Sequence, residues 1–244
     1  MTLLQENLEQ IESAIASACR RAGRSREDVE LMAVSKTYPA TTIAEAATLG
    51  LRLFGENRVQ EFAGKSGELA SLRSDASDGV RVHLIGHLQS NKSTRAVEVF
   101  DGIDSLDSLK LAERLNEAAA KIDKRLPVLI EVKLSTEETK AGLDPDSVDT
   151  AQLLERLPSL ENLQMCGLMT IAPWGVPEDQ TRGCFSALRQ LRDRWASSQT
   201  HLNFDVLSMG MSGDFGIAIE EGATRVRIGT ALFGKRQPYT GPPE

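Results

Sequence analysis

Val29-Glu30-Leu31-Met32-Ala33-Val34-Ser35, then Thr42-Ile43-Ala44-Glu45, then Leu51-Arg52-Leu53-Phe54-Gly55: residues 29–55 read as strand, helix, strand. The two short apolar runs have strand length. Between them, Thr42 and Glu45 match a capping box, in which hydroxyl and carboxylate satisfy orphan backbone donors, and Gly50 marks the helix end. Two strands joined by a helix-sized connection pair in parallel.

Outward from that unit the alternation continues. Strands are predicted at residues 80–85, 102–105, 128–134, 163–171, 204–209 and 224–229, with helices at 109–122, 148–157, 181–196 and 215–221. Upstream, Leu4, Leu8, Ile11 and Ile15 recur at helical spacing, and Gly23 is the expected stop. Eight strands alternating with helices over about 220 residues match a closed (β/α)8 TIM barrel. An open doubly wound sheet is the alternative, and the lack of GxGxxG after the first strand counts against its dinucleotide-binding form. No Pro/Gly/Ser-rich linker divides the chain. One barrel domain is expected over residues 1–234, with 1–28 as an extra N-terminal helix and connection, and 235–244 as a loosely ordered tail.

Composition excludes several classes. The net charge of −7 argues against an extended nucleic-acid surface. Cys19, Cys166 and Cys184 lie far apart, form no CxxC pair and suit a reducing compartment, and the three histidines lack metal-ligand spacing. The first thirty residues carry Glu6, Glu9 and Glu12 and no apolar centre, and no apolar run is long enough to span a bilayer. A cytoplasmic protein that binds neither metal, membrane nor nucleic acid is expected.

In such a barrel the active rim lies at the C-terminal ends of the strands, often with phosphate held after strands seven and eight. Lys36 ends strand one; Glu56 and Asn57 follow strand two; Gly86 and His87 follow strand three. Ser208-Met209-Gly210-Met211-Ser212-Gly213 leaves strand seven towards Asp214, a candidate N-cap, and Gly229-Thr230 leaves strand eight. A lysine in such a place is most often only solvated; near another cation, with Arg227 the candidate, it becomes a nucleophile able to form a Schiff base. The glycine-rich turn is equally an ordinary strand-to-helix connection or a cradle of N–H groups for a phosphate. In Arg225-Val226-Arg227-Ile228, alternation puts the arginines on one face, pointing into the barrel. Inward arginines are costly unless paired, either in a structural salt bridge or with an anion or acceptor of a ligand. His83 lies inside a strand and reads as a satisfied core histidine.

These segments resemble the pyridoxal-phosphate homeostasis protein family. Ala33-Val34-Ser35-Lys36-Thr37, Phe54-Gly55-Glu56-Asn57, His83-Leu84-Ile85-Gly86-His87-Leu88-Gln89-Ser90-Asn91-Lys92, Gly167-Leu168-Met169-Thr170, Ser208-Met209-Gly210-Met211-Ser212 and Arg225-Val226-Arg227-Ile228-Gly229-Thr230 carry the likeness in the family's order. The resemblance implies a modified TIM barrel like the N-terminal domain of alanine racemase, holding pyridoxal 5'-phosphate (PLP) as an imine on Lys36. It further implies Asn57 lining the ring, Arg227 facing the ring nitrogen, Ser208, Met209, Gly229 and Thr230 around the phosphate, and Arg225 as a less certain neighbour.

A racemase also needs a second acid–base group, brought as a tyrosine from a separate domain, whereas this sequence has only Tyr38 and Tyr239. The expected role is therefore PLP homeostasis and amino-acid/keto-acid balance without robust turnover, by a monomer meeting amino acids and, transiently, PLP enzymes. A PLP-dependent racemase and a lysine Schiff-base phosphosugar aldolase are the alternatives.

Overall fold

The computed structural model describes residues 1–73, 79–134 and 141–234, so the expectation about the 235–244 tail, with Tyr239, lies outside the described residues. Eight strands form the barrel: β1 (Glu30–Val34), β2 (Leu53–Glu56), β3 (Arg81–Leu84), β4 (Gly102–Leu106), β5 (Leu126–Glu131), β6 (Leu163–Met169), β7 (Val206–Ser208) and β8 (Arg225–Ile228). They close in sequence order, every pair parallel, with Met32 of β1 opposite Arg227 of β8.

Helix α1 (Leu3–Arg21) precedes the barrel. Between the strands lie α2 (Ala40–Thr48), α3 (Val59–Lys65), α4 (Ser93–Val99), α5 (Leu109–Ala120), α6 (Val148–Arg156), α7 (Glu178–Ser198) and α8 (Phe215–Glu220), and α9 (Thr230–Phe233) follows β8. The closed barrel confirms the expected fold and the extra N-terminal helix. Helix α1 docks on the last elements: Asn7 Nδ2 donates to Leu232 O at 2.9 Å, and Arg24 Nη1 to Ile219 O and Ala223 O at 2.9 and 2.8 Å.

The inward–outward alternation follows the sequence pattern. Leu31, Ala33, Val226 and Ile228 join the hydrophobic core, along with Phe54, Phe62, Phe100 and Phe185, whereas Arg225 and Arg227 do not. Burying each such phenyl ring contributes about 2–3 kcal/mol, which is what holds the helices on the barrel.

Three local expectations change. Helix α2 starts at Ala40 with Pro39 as its N-cap residue and no side-chain cap, so Thr42 sits in its first turn and forms no capping box. Pro39 is already extended, at φ −69° and ψ 164°, and launches the helix three residues early. Asp214 does occupy the N-cap of α8, but its carboxylate accepts from the Met211 N–H at 2.5 Å instead of from the helix. Most strands end short of their apolar runs, because the chain enters the rim loops while its side chains remain covered.

Candidate functional site

Lys36 follows β1 as the second residue of a tight turn, closed by the Tyr38 N–H on Ser35 O at 3.1 Å. It is half-buried. Strand β8 lies alongside, and a Cβ on Gly229 would stand 3.4 Å from Val34, so the start of α9 borders the end of β1. On the other flank the loops after β2 and β3 touch: a Cβ on Gly86 would lie 2.3 Å from Asn57 O. Asn57, half-buried, thus stands one strand away from Lys36 on the same rim.

The two inward arginines have separate fates. Arg225 is held by carboxylates, with Nη1 3.0 Å from Asp104 Oδ2 and Nη2 2.9 Å from Glu30 Oε2. Asp104 also takes His83 Nδ1 at 2.8 Å, so His83 is a satisfied core histidine. Burial opposes the charge on Asp104, but His83 and Arg225 outweigh it and hold its carboxyl below the usual range. This layer is structural.

Arg227, one layer nearer the rim and 4% exposed, hydrogen-bonds only to neutral acceptors among the described residues. Its Nη1 donates to Ser208 O at 2.8 Å and Ser208 Oγ at 2.9 Å, and its Nη2 to Thr170 O at 2.9 Å. A guanidinium has five N–H donors, and among the described residues Nε and the second Nη2 hydrogen have no protein acceptor. Burial pushes its pKa down, against the pull of Asp104, Glu131 and Asp214. A buried cation with donors to spare is suited to a polar group of a ligand.

The loops after β7 and β8 meet where Ala231 N–H donates to Ser212 Oγ at 3.4 Å. Among the described residues, the N–H groups of Ser212, Gly213, Gly229 and Thr230 donate to no backbone or side-chain acceptor. Such free donors suit a phosphate. Gly229 is buried and Thr230 exposed. Ser208 and Met209 are fully buried, and they contribute differently from the open loop: Ser208 Oγ is committed to Arg227, while Met209 donates its N–H to Arg225 O and places its side chain in the core. Gly210 turns the loop at φ 92°, where a Cβ would lie 2.6 Å from Ala218 Cβ and 2.9 Å from Phe215 Cα. Gly210→Ala is expected to cost about 1–3 kcal/mol and to weaken inorganic phosphate binding, read by thermal denaturation and titration; unchanged values in both would mean the loop absorbs the methyl.

The far side of the mouth carries acidic groups. Glu131 ends β5 and is 5% exposed, its carboxyl has no hydrogen-bond partner among the described residues, and nearby Asp107 takes His87 Nδ1 at 2.9 Å. Burial, then Asp107, pushes the Glu131 carboxyl up to about 7, against Arg227 and His87. A carboxyl that holds its proton more tightly folded than unfolded adds stability below its ordinary 4.5, and loses it as pH rises through about 7. Wild type should therefore lose thermal stability relative to Glu131→Gln between about pH 5 and pH 8, by up to about 3 kcal/mol. Parallel pH profiles for the two proteins would refute this.

Sequence reasoning missed one buried group. Glu61 and Lys65 are spaced i, i+4 on a helix, which reads as a surface pair. Here both are packed inward beside Glu56, with Lys65 Nζ 2.9 Å from Glu56 Oε1 and 3.3 Å from Glu61 Oε1. Glu56, fully buried, is pushed up to about 7 by burial, against Lys65 and Ser35. Glu56 belongs to β2 itself and does not lie beyond it.

Comparison with known proteins places this arrangement in a family. The family model described as alanine racemase, N-terminal domain, matches residues 7–237. The pyridoxal phosphate homeostasis protein of Vibrio cholerae is 43% identical over 97% of this chain and 98% of its own length, and that of Escherichia coli K12 is 40% identical over 97% and 98%. Among solved structures, PipY of Synechococcus elongatus with PLP bound superposes with a TM-score of 0.80 at 40% identity, covering 95% of this chain and 100% of PipY. Alanine racemase of Clostridium difficile shares the fold, with a TM-score of 0.68 at 16% identity over 57% of that chain. The chain therefore belongs to the alanine racemase N-terminal domain family and, within it, to the pyridoxal phosphate homeostasis proteins.

Proposed function

We propose that this chain binds PLP as a Schiff base on Lys36 and serves PLP homeostasis and amino-acid/keto-acid balance in the cytoplasm, as a monomer without robust turnover. The observation that carries the reading is the joining of three features on one rim: Lys36 after β1, the buried Arg227 hydrogen-bonded to neutral acceptors, and the N–H groups of the Ser212–Gly213 and Gly229–Thr230 loops, which have no acceptor among the described residues. The relatives' names, and PLP bound to PipY, agree with it.

When bound, PLP supplies an aldehyde for a lysine amine and an electron-withdrawing ring. In this reading the residues divide the work. Lys36 provides the amine, Asn57 borders the ring, and the N–H groups of Gly229 and Thr230 hold the phosphate, with Ser208 and Met209 shaping the floor beneath. Arg227 faces the ring nitrogen, and its fixed charge disfavours a proton there. A ring without that proton withdraws electrons less well, which suits storage better than carbanion chemistry. Tyr38, the one tyrosine among the described residues, donates its hydroxyl to Gly234 O at 2.9 Å. It is thereby engaged away from the role of a second acid–base group.

The test is the visible absorption of the purified protein with added PLP, followed by borohydride and mapping of the fixed adduct, with racemisation and transamination assayed in parallel. A bleachable band, an adduct on Lys36 and no turnover at ordinary enzyme rates are expected. Lys36-dependent turnover would replace the reading with a racemase-type enzyme, and no band would leave the phosphosugar aldolase as the next assay.

A further inference from the structure

The turn that presents Lys36 is held from beneath by side chains that reach it from a neighbouring strand and helix. Lys65, the last residue of α3 and 8% exposed, donates from Nζ to Tyr38 O at 2.7 Å and lies 3.4 Å from Ser35 O. These carbonyls bracket Lys36 and Thr37. Glu61, one helical turn earlier, accepts the Thr37 N–H on Oε1 at 2.6 Å. Glu56 receives Ser35 Oγ–H at 2.5 Å and pairs with Lys65 at 2.9 Å. Three backbone groups of a four-residue turn are therefore fixed by one buried ion triad.

The turn needs such support. Thr37 sits at φ 70°, an unfavourable conformation for a β-branched residue, and its Oγ1 is buried without a partner. A strained backbone persists where its surroundings over-determine it, and such strain gathers at functional positions. A buried lysine is also costly by itself, and here it is spent on the two carbonyls flanking the proposed reactive amine, with two carboxylates around it.

We propose that Lys65 is a positioning residue for Lys36: through Ser35 O and Tyr38 O, and with Glu56 and Glu61 as its counter-charges, it locks the turn that aims the Lys36 amine into the barrel mouth. This rests on the reading of Lys36 as the Schiff-base residue. Lys65 itself touches no reacting atom; it acts through backbone geometry.

The experiment compares wild type with Lys65→Met, Glu61→Leu and Glu61→Gln. Each is first checked for cooperative thermal unfolding, then mixed with PLP while the visible band is followed. Loss of the clamp is expected to slow band formation about tenfold or more in Lys65→Met and Glu61→Leu, as expected for a displaced reacting group. Glu61→Gln keeps an oxygen for the Thr37 N–H and is expected to form the band at close to the wild-type rate. In protein free of PLP, acetylation of Lys36 in Lys65→Met should rise relative to that of exposed Lys110, a local loosening that general destabilisation does not produce. Should Lys65→Met fail to fold, the Glu61 pair decides the matter. Wild-type rates in folded Lys65→Met, or in Glu61→Leu, would overturn the inference while leaving Lys36 as the PLP site. Absence of a Lys36 adduct in wild type would instead overturn the reading beneath it.

Discussion

Lys36→Ala is expected to abolish the visible band proposed for the wild-type protein with PLP, together with the borohydride-fixed adduct. The substitution removes the amine that follows β1 and leaves the barrel intact, since the half-buried side chain carries none of the apolar core. The loops proposed to hold the phosphate, and Arg227, would still offer their donors. Residual, non-covalent binding should therefore survive, weaker by roughly 100-fold, or about 3 kcal/mol. Equilibrium dialysis measures that remainder, and thermal denaturation should place the unliganded variant close to wild type. A band of undiminished intensity in Lys36→Ala would move the Schiff base to another lysine. Complete loss of binding, with the fold retained, would mean that the N–H cradle contributes little alone.

Asp104→Ala is expected to be the most damaging single change in the barrel interior. It leaves Arg225 with Glu30 alone, and removes the partner of His83, in a layer where Asp104 is 1% exposed and Arg225 is 6% exposed. Breaking a buried pair from one side costs about 3–5 kcal/mol, which for a chain of this size lowers the melting temperature by roughly 10 °C. The pH dependence is fixed by the direction of the Asp104 shift. Its folded pKa is depressed, so its contribution is fully present above the ordinary 3.8 and is lost as pH falls through the lower folded value. The penalty should hold across neutral pH and shrink only in stronger acid. A double change, Asp104→Leu with Arg225→Met, should recover much of the loss, because neither charge then remains to be neutralised. A single-variant penalty below about 1 kcal/mol would show that solvent reaches this layer.

The two arginines of β8 show how far the sequence pattern reaches. Period-two alternation placed both inside the barrel, and both are there, opposite an apolar face occupied by Val226 and Ile228. Alternation could not separate a structural salt bridge from a ligand contact. Asp104 lies on β4, remote in sequence, and its carboxylate reaches Arg225 and not Arg227 at ion-pair distance. One arginine is thereby structural, while the other keeps donors available at the rim. His83 was legible as a satisfied histidine from its place in a strand, although its partner was not.

The lysine pair of the first two βα units makes the same point from the other side. Lys36 stood out because it ends a buried strand, a local fact. Lys65 resembles any helical lysine with a glutamate four residues before it, and nothing local distinguishes it from a solvated one. Only the placement of Lys65 beside Glu56 of β2 and the turn after β1 removes it from water and brings its ammonium to the carbonyls of Ser35 and Tyr38. The capping box expected at Thr42 failed for a related reason: Pro39, reached directly from the turn, had already started the helix.

The sequence alone determined the barrel, the rim and the order of the candidate residues around it, because strand and helix periods, turn residues and their spacing are properties of short segments. The tertiary structure decided which charges pair, which donors stay free, which loops touch and which lysine supports which. Those outcomes depend on distances between segments brought together by barrel closure, and on the desolvation that closure imposes, neither of which is written in any one stretch of chain.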